Sequence, residues 1–259
     1  MRRIMLRVSY DGTNYCGWQK QPNGITVEET LNRAVSELTG EDIRVIGASR
    51  TDAGVHALGN VAVFDTESPI PADKFSFALN QRLPKDIAVQ ESCEVGPDFH
   101  PRHRDCIKTY EYRIYNGAHR NPLLSRYTFH FHHALDVRLM DKAAQYLKGE
   151  HDFASFCSAG AQVMSTVRTI YDADVFRLDG REDGTIVIRL RGNGFLYNMV
   201  RIIAGTLIQA GQGEFSPKHM QEIIDARDRG AAGHTAPPQG LTLVGIEYTE
   251  TEEKEEKGE

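Results

Sequence analysis

The sequence predicts an α+β fold of two similar halves, each a sheet backed by helices, packed into one body with a cleft where the sheets meet. Three observations lead there. Stretches of strand-like alternation are interleaved with stretches of helical spacing in both halves of the 259-residue chain. No low-complexity linker separates those halves. Composition is ordinary, at 40% hydrophobic and 25% charged residues, so a chain of this length has the material for a large core.

The first half, residues 1–104, alternates. A strand is expected over 3–10, a helix over 26–38 and strands over 43–45 and 61–64, followed by a helix over 72–82 and a strand over 87–91. Thr26 and Glu29 form a capping box, and Leu31, Ala34, Val35 and Leu38 then give one apolar stripe at helical spacing. Gly40 ends that helix, and Leu83-Pro84-Lys85-Asp86 is a turn.

The second half, residues 105–248, opens with a strand over 109–115 and an extended run over 127–132. A helix over 136–147 places Leu139, Ala143, Tyr146 and Leu147 on one face. Two strands, 167–176 and 185–191, are joined by a turn over 179–184; helices over 195–210 and 217–226 and a strand over 241–248 close the half. From Glu247 to Glu259 there are seven Glu against two Lys, so most of the formal net charge of −6 sits in an acidic tail, 249–259, expected to be disordered. The body of the protein is nearly neutral.

Several function classes are excluded. The N-terminus has no apolar core of signal-peptide length and no stretch approaches a membrane span, which points to the cytoplasm and away from membranes. Cys16, Cys93, Cys106 and Cys157 are far apart and form no Cys-x-x-Cys pair. There is no Gly-x-x-x-x-Gly-Lys and no dinucleotide fingerprint, so no nucleotide cofactor is expected, and no Gly-x-Ser-x-Gly elbow. His130, His132 and His133 cluster, but without a Cys partner or a His-Glu-x-x-His helix they do not amount to a metal site.

What remains is a carboxylate. Arg50-Thr51-Asp52-Ala53-Gly54-Val55-His56-Ala57 is a loop between two strand-like segments, where a scaffold can hold reactive groups still. Asp52 is the candidate nucleophile; the plainer alternative is an Asx turn in which Asp52 bonds the backbone near Gly54. Arg201 lies within Leu196, Met199, Val200, Ile202, Ile203 and Leu207, a helix too apolar for the surface, so its charge needs an acidic partner. Asp52 is the choice, with Asp86 and Asp174 as alternatives. Tyr197, Asn198, Arg201 and Gly205 share one side of that helix, and the missing side chain of Gly205 admits another backbone. Tyr110 and Tyr112 share a strand face, either as core or as a seat for a base, and the cationic run from His100 to Lys108 that precedes them suits phosphate or plain solvent.

Taken in order and spacing, these segments resemble the TruA family of tRNA pseudouridine synthases. The matching stretches are Val8-Ser9-Tyr10-Asp11-Gly12 with Tyr15 and Gly17-Trp18-Gln19, then Arg50 to Ala57, Leu79-Asn80 with Leu83-Pro84 and Asp86-Ile87, and Phe99-His100-Pro101-Arg102. Tyr110 to Asn116, Phe195 to Arg201 and Gly240-Leu241 complete the set, which spans nearly everything from Arg3 to Tyr248. The resemblance implies the pseudouridine synthase fold, two ferredoxin-like halves forming a central mixed, largely antiparallel sheet flanked by helices. It implies isomerisation of uridine to pseudouridine in the anticodon arm of tRNA, at positions 38, 39 and 40, by a homodimer with no cofactor or metal. By correspondence Asp52 is the nucleophile, Arg201 its basic partner, Tyr110 the aromatic that contacts the target base, and Arg50 an arginine that helps flip it out. Residue 60 is Asn where many members carry Gln. The runner-up is a tRNA-binding module without catalysis, and a third reading is a carboxylate-nucleophile nucleoside hydrolase.

Overall fold

The computed structural model describes residues 1–160, 163–180 and 184–249. The acidic tail beyond Thr249 and the middle of the 179–184 turn lie outside the described residues. The chain runs β1 (Arg2–Tyr10), α1 (Val27–Thr39), β2 (Ile46–Gly47), β3 (His56–Thr66), α2 (Phe75–Asn80), β4 (Ile87–Val95), then β5 (Cys106–Tyr115) and β6 (Phe129–His130). It continues through α3 (Val137–Ala144), β7 (Gly149–Asp152), β8 (Val167–Arg177), β9 (Thr185–Gly192), α4 (Met199–Gly211), α5 (His219–Ala226) and β10 (Leu241–Tyr248).

All these strands join one mixed sheet in the order β4-β1-β3-β10-β5-β9-β8-β7, with β2 pairing β3 and β6 pairing β5. The expected architecture is visible in that order. In β1 to β4 the strands lie as fourth, first, third, second, all antiparallel. Among β5, β8, β9 and β10 the same order recurs, again antiparallel, which is the ferredoxin-like arrangement twice over. β10 pairs parallel with β3 at Thr242 with His56 and Leu243 with Ala57, and this short ladder fuses the two sets.

β3 therefore changes partner along one edge. Its middle pairs with β2 at Val63 and Ala62, and its start pairs with β10. The chain between β2 and β3, residues 48–55, has to leave the sheet at that change of partner, and this is the loop that carries Asp52. Helices α1 and α2 pack on each other and α2 on β4, while α3 and α4 pack together, with α3 on β8 and α4 on β5.

Several boundaries differ from the sequence expectation for identifiable reasons. The expected strand over 43–45 does not pair, because α1 side chains take its donors: Ile43 N bonds Ser36 Oγ and Val45 N bonds Asn32 Oδ1, leaving only Ile46–Gly47 in the sheet. The helix expected from 72 begins as a 3-10 turn over Ala72–Lys74 and ends at Asn80, whose amide clips both backbone groups of Val89. α1 is as expected, with Thr26 Oγ1 accepting from Glu29 N and Gly40 closing it in the left-handed region. The run over 127–132 contributes only the two residues of β6.

Candidate active site

The helix expected over 195–210 starts four residues late, and that difference shapes the site. Asn198 adopts φ 61°, a left-handed conformation that Asn tolerates, so 195–198 form a turn ahead of α4. Tyr197 and Asn198 are thus not on the helix face with Arg201. Asn198 still serves it: its Oδ1 accepts from Arg201 Nη1 at 2.7 Å. Arg201 Nε donates to Ala236 O at 2.8 Å, and Ala236 N returns a bond to Arg201 O at 3.0 Å.

The segment carrying Ala236 can lie against α4 because of Gly205. A methyl there would sit 1.8 Å from His234 O, so the close backbone approach expected of Gly205 is present. Gly233 N donates to Thr206 Oγ1 at 2.9 Å and fixes the start of the same strap. With two of its acceptors settled, Arg201 presents Nη1 to Asp52 Oδ2 at 3.3 Å. The acids named as alternatives are engaged elsewhere, Asp86 by the Tyr15 hydroxyl at 2.7 Å and Asp174 by Lys148 at 3.9 Å.

Asp52 stands on a loop that is held from behind. Trp18 N donates to Thr51 O at 3.0 Å, Gly54 N to Tyr15 O at 3.3 Å, and the Thr51 hydroxyl meets the Tyr10 hydroxyl at 2.7 Å. Gly17, at φ +89°, lets that backing segment approach, since its Cβ would fall 2.6 Å from Thr51 O. The fully buried Asn60 clips the other end: its Oδ1 accepts from Ser49 N at 3.2 Å and its Nδ2 donates to Ser49 O at 3.0 Å. The Asx turn does not form; Val55 N bonds the main-chain oxygen of Asp52, and the carboxylate is left for Arg201. Downstream, His56 Nδ1 lies 3.0 Å from Gly12 N and 3.2 Å from Asp11 Oδ1, and its Nε2 lies 2.9 Å from Arg126 O. Burial pushes the His56 pKa down, against the Asp11 carboxylate, which favours the charged ring.

These groups open into a cleft of about 1060 Å³ lined by both halves of the sheet. Five cations line it, Lys20, Arg50, Arg102, Lys108 and Arg168, and Asp52 is the single carboxylate among the described lining residues. Burial pushes the Asp52 carboxyl above its ordinary value, and Arg201 only partly opposes this. One 3.3 Å contact from a guanidinium already shared with Ala236 and Asn198 does not offset the lost water.

Tyr110 lines the cleft beside Asp52, with Phe195 edge-on at 5.1 Å between centroids. Burial pushes its phenol up to about 12, so it stays protonated at neutral pH. Tyr112, two residues on, is fully buried and donates to Pro237 O at 2.8 Å, making it core rather than a base seat. Arg50 is exposed at the rim and makes no hydrogen bond or ion pair among the described residues. Of the cationic run, Arg102 and Lys108 reach the cleft, whereas Arg104 lies over Phe99. Sequence reasoning grouped Asn198 with Arg201 but on a helix face rather than in a turn, and it missed Phe195, Arg168 and the clamp by Asn60. For Arg168 there was no signal, since its strand is remote in sequence.

A family model described as tRNA pseudouridine synthase matches residues 7–103 and 143–249. Among curated relatives, proteins named tRNA pseudouridine synthase A from Ruminiclostridium cellulolyticum, Acetivibrio thermocellus and Caldicellulosiruptor saccharolyticus are 52%, 50% and 48% identical over 248 residues. Each alignment covers 96% of this chain and the whole of the relative.

Proposed function

The chain belongs to the tRNA pseudouridine synthase family, and from that premise we propose that its cleft isomerises uridines 38, 39 and 40 in the tRNA anticodon arm, with Asp52 as nucleophile. The enzyme is an isomerase that turns uridine into pseudouridine within tRNA. The observation that supports Asp52 in this role is its position as the one described carboxylate in a cleft lined by five cations, ion-paired to Arg201.

The reaction breaks the bond from N1 to C1′, rotates the uracil, joins C5 to C1′ and releases the C5 proton. N1 takes up a proton as C5 gives one up, so the composition is unchanged. Both fragments must stay in place while the base turns, and a carboxylate serves by attacking C1′ as uracil leaves, by adding to C6 of the ring, or by supporting a glycal intermediate. All three need Asp52 aimed, which Arg201 and the doubly clamped loop provide. The target uridine first leaves its stack, at a cost of about a few kcal/mol that contacts in the cleft must offset. Tyr110 receives the flipped base against the edge of Phe195, and Arg50 reaches from the rim toward the place it vacates.

A binding module without catalysis is the poorer account. A partly desolvated carboxylate among phosphate-binding cations repels RNA and is out of place in a surface built for affinity alone. The proposal also has the chain act as a homodimer, in the cytoplasm where its substrate is. The test is to incubate the enzyme with tRNA transcripts in which each of the three uridines is replaced in turn by cytidine, and to map pseudouridine by carbodiimide treatment and primer extension. Signals confined to the three positions support the proposal; pseudouridine formed elsewhere in the tRNA, and not there, overturns it.

A further inference from the structure

Among the described residues Lys108 has no acidic partner. Its ammonium lies half-buried in the cleft and donates to Ala48 O at 3.2 Å, which leaves two of three donors unused. No carboxylate among the described residues pairs with it; the titratable groups that face it are Cys106, whose thiol burial keeps protonated, and Arg102, Arg168 and Arg50, which repel it. Burial and these arginines push its pKa down. Leaving an ammonium short of water and of a counter-ion costs several kcal/mol unless a negative group arrives to meet it. Its place on β5 is specific. Lys108 and Tyr110 are two residues apart on one strand face, about 6.6 Å along the strand, a separation comparable to that between a base and its own phosphate.

We propose that Lys108, with Arg102 and Arg168 beside it, is a binding site for the phosphodiester adjoining the target uridine, so that base and phosphate are held by neighbouring positions of one strand. The proposal rests on the tRNA reading of the cleft. The phosphate supplies the counter-charge that Lys108 lacks, and the bond to Ala48 O ties that phosphate seat to the loop bearing Asp52. Arg102 is fixed in the same way, by Nε donating to Gly47 O at 2.6 Å.

The test pairs a protein change with a substrate change. Unmodified tRNA is assembled with a neutral methylphosphonate at the linkage 5′ or 3′ of the target uridine, and its affinity for wild type, Lys108→Gln, Lys108→Arg and Arg102→Gln is measured as a function of salt. Lys108→Gln should weaken binding of ordinary tRNA about tenfold and lower the slope of log affinity against log salt by about one, with Lys108→Arg close to wild type. One of the two neutral linkages should weaken wild type by a similar factor and cost Lys108→Gln almost nothing further. Losses that simply add at both linkages, or an unchanged salt slope, overturn the proposal. Should Lys108→Gln fail to fold, the exposed Arg102→Gln carries the same comparison. Tritium release by wild type from C5-tritiated tRNA is measured alongside: its absence contradicts the tRNA reading, whereas its presence with additive losses contradicts only the phosphate site.

Discussion

Arg201 Nη1 meets Asp52 Oδ2 at 3.3 Å, and each partner is positioned by a different half of the sheet. Arg201 comes from the first turn of α4 and is braced by Asn198 and Ala236; Asp52 comes from the loop that leaves the sheet where β3 exchanges β2 for β10. The ion pair therefore forms only when the two ferredoxin-like sets are fused through β3 and β10. Small shifts in either half should reach the chemistry without touching the substrate.

The first prediction concerns Arg201. In the proposed mechanism the reactive form of Asp52 is the carboxylate, so the rate should fall as pH drops through its pKa. Burial holds that pKa above 3.8, which places the acid limb above that of an ordinary aspartate, and Arg201 acts in the opposite direction. Arg201→Gln should move the limb to higher pH and lower the single-turnover rate by about 10²-fold or more. A pH-rate profile measures both. A limb that stays or moves down would show that Arg201 does not set the charge of Asp52.

Asn60 acts at a distance. Asn60→Ala removes two bonds to Ser49 and one to the Tyr10 hydroxyl, leaving buried backbone groups unpaired, and should cost about 3 kcal/mol of stability. Urea unfolding measures that loss. The rate should fall further than tRNA affinity, because the loop loses its aim rather than its charge.

How much of this was legible in the sequence depends on what each residue answers to. α1 was readable from its cap to Gly40 because helix periodicity and capping are local. Arg201 as a buried cation in need of an acid was readable from its apolar surroundings, and Gly205 as a point of close approach from its lack of a side chain. The failures are non-local. Residues 43–45 look like a strand, but Asn32 and Ser36 take their donors from a helix formed earlier in the chain. The left-handed turn at Asn198 interrupts an apolar run whose periodicity suggests an unbroken helix. The raised pKa of Asp52 depends on how deep the cleft is, which no spacing encodes.

Gly205 gives a stability prediction with its own control. Gly205→Ala places a methyl 1.8 Å from His234 O and should cost about 3 kcal/mol or more, or prevent folding. Gly245→Ala, where the methyl meets nothing within 4 Å, should change stability by no more than about 0.5 kcal/mol. Thermal unfolding of the two variants side by side makes the comparison.

Tyr110 is predicted to contribute to binding through its ring. With its phenol at about 12 it remains protonated at neutral pH, so Tyr110→Phe should keep tRNA affinity within about threefold while Tyr110→Ala loses about 1–3 kcal/mol of stacking. Filter binding to unmodified tRNA checks this. Equal losses for both would assign the contact to the hydroxyl.

The central claim is that Asp52 performs the isomerisation. Tritium release from C5-tritiated uridine in an unmodified tRNA transcript tests it most directly, because joining C5 to C1′ must expel that hydrogen. The measurement compares wild type with Asp52→Asn at equal tRNA occupancy. Release by wild type, and none by Asp52→Asn with tRNA binding preserved, is the predicted result; release by Asp52→Asn at the wild-type rate would contradict the account.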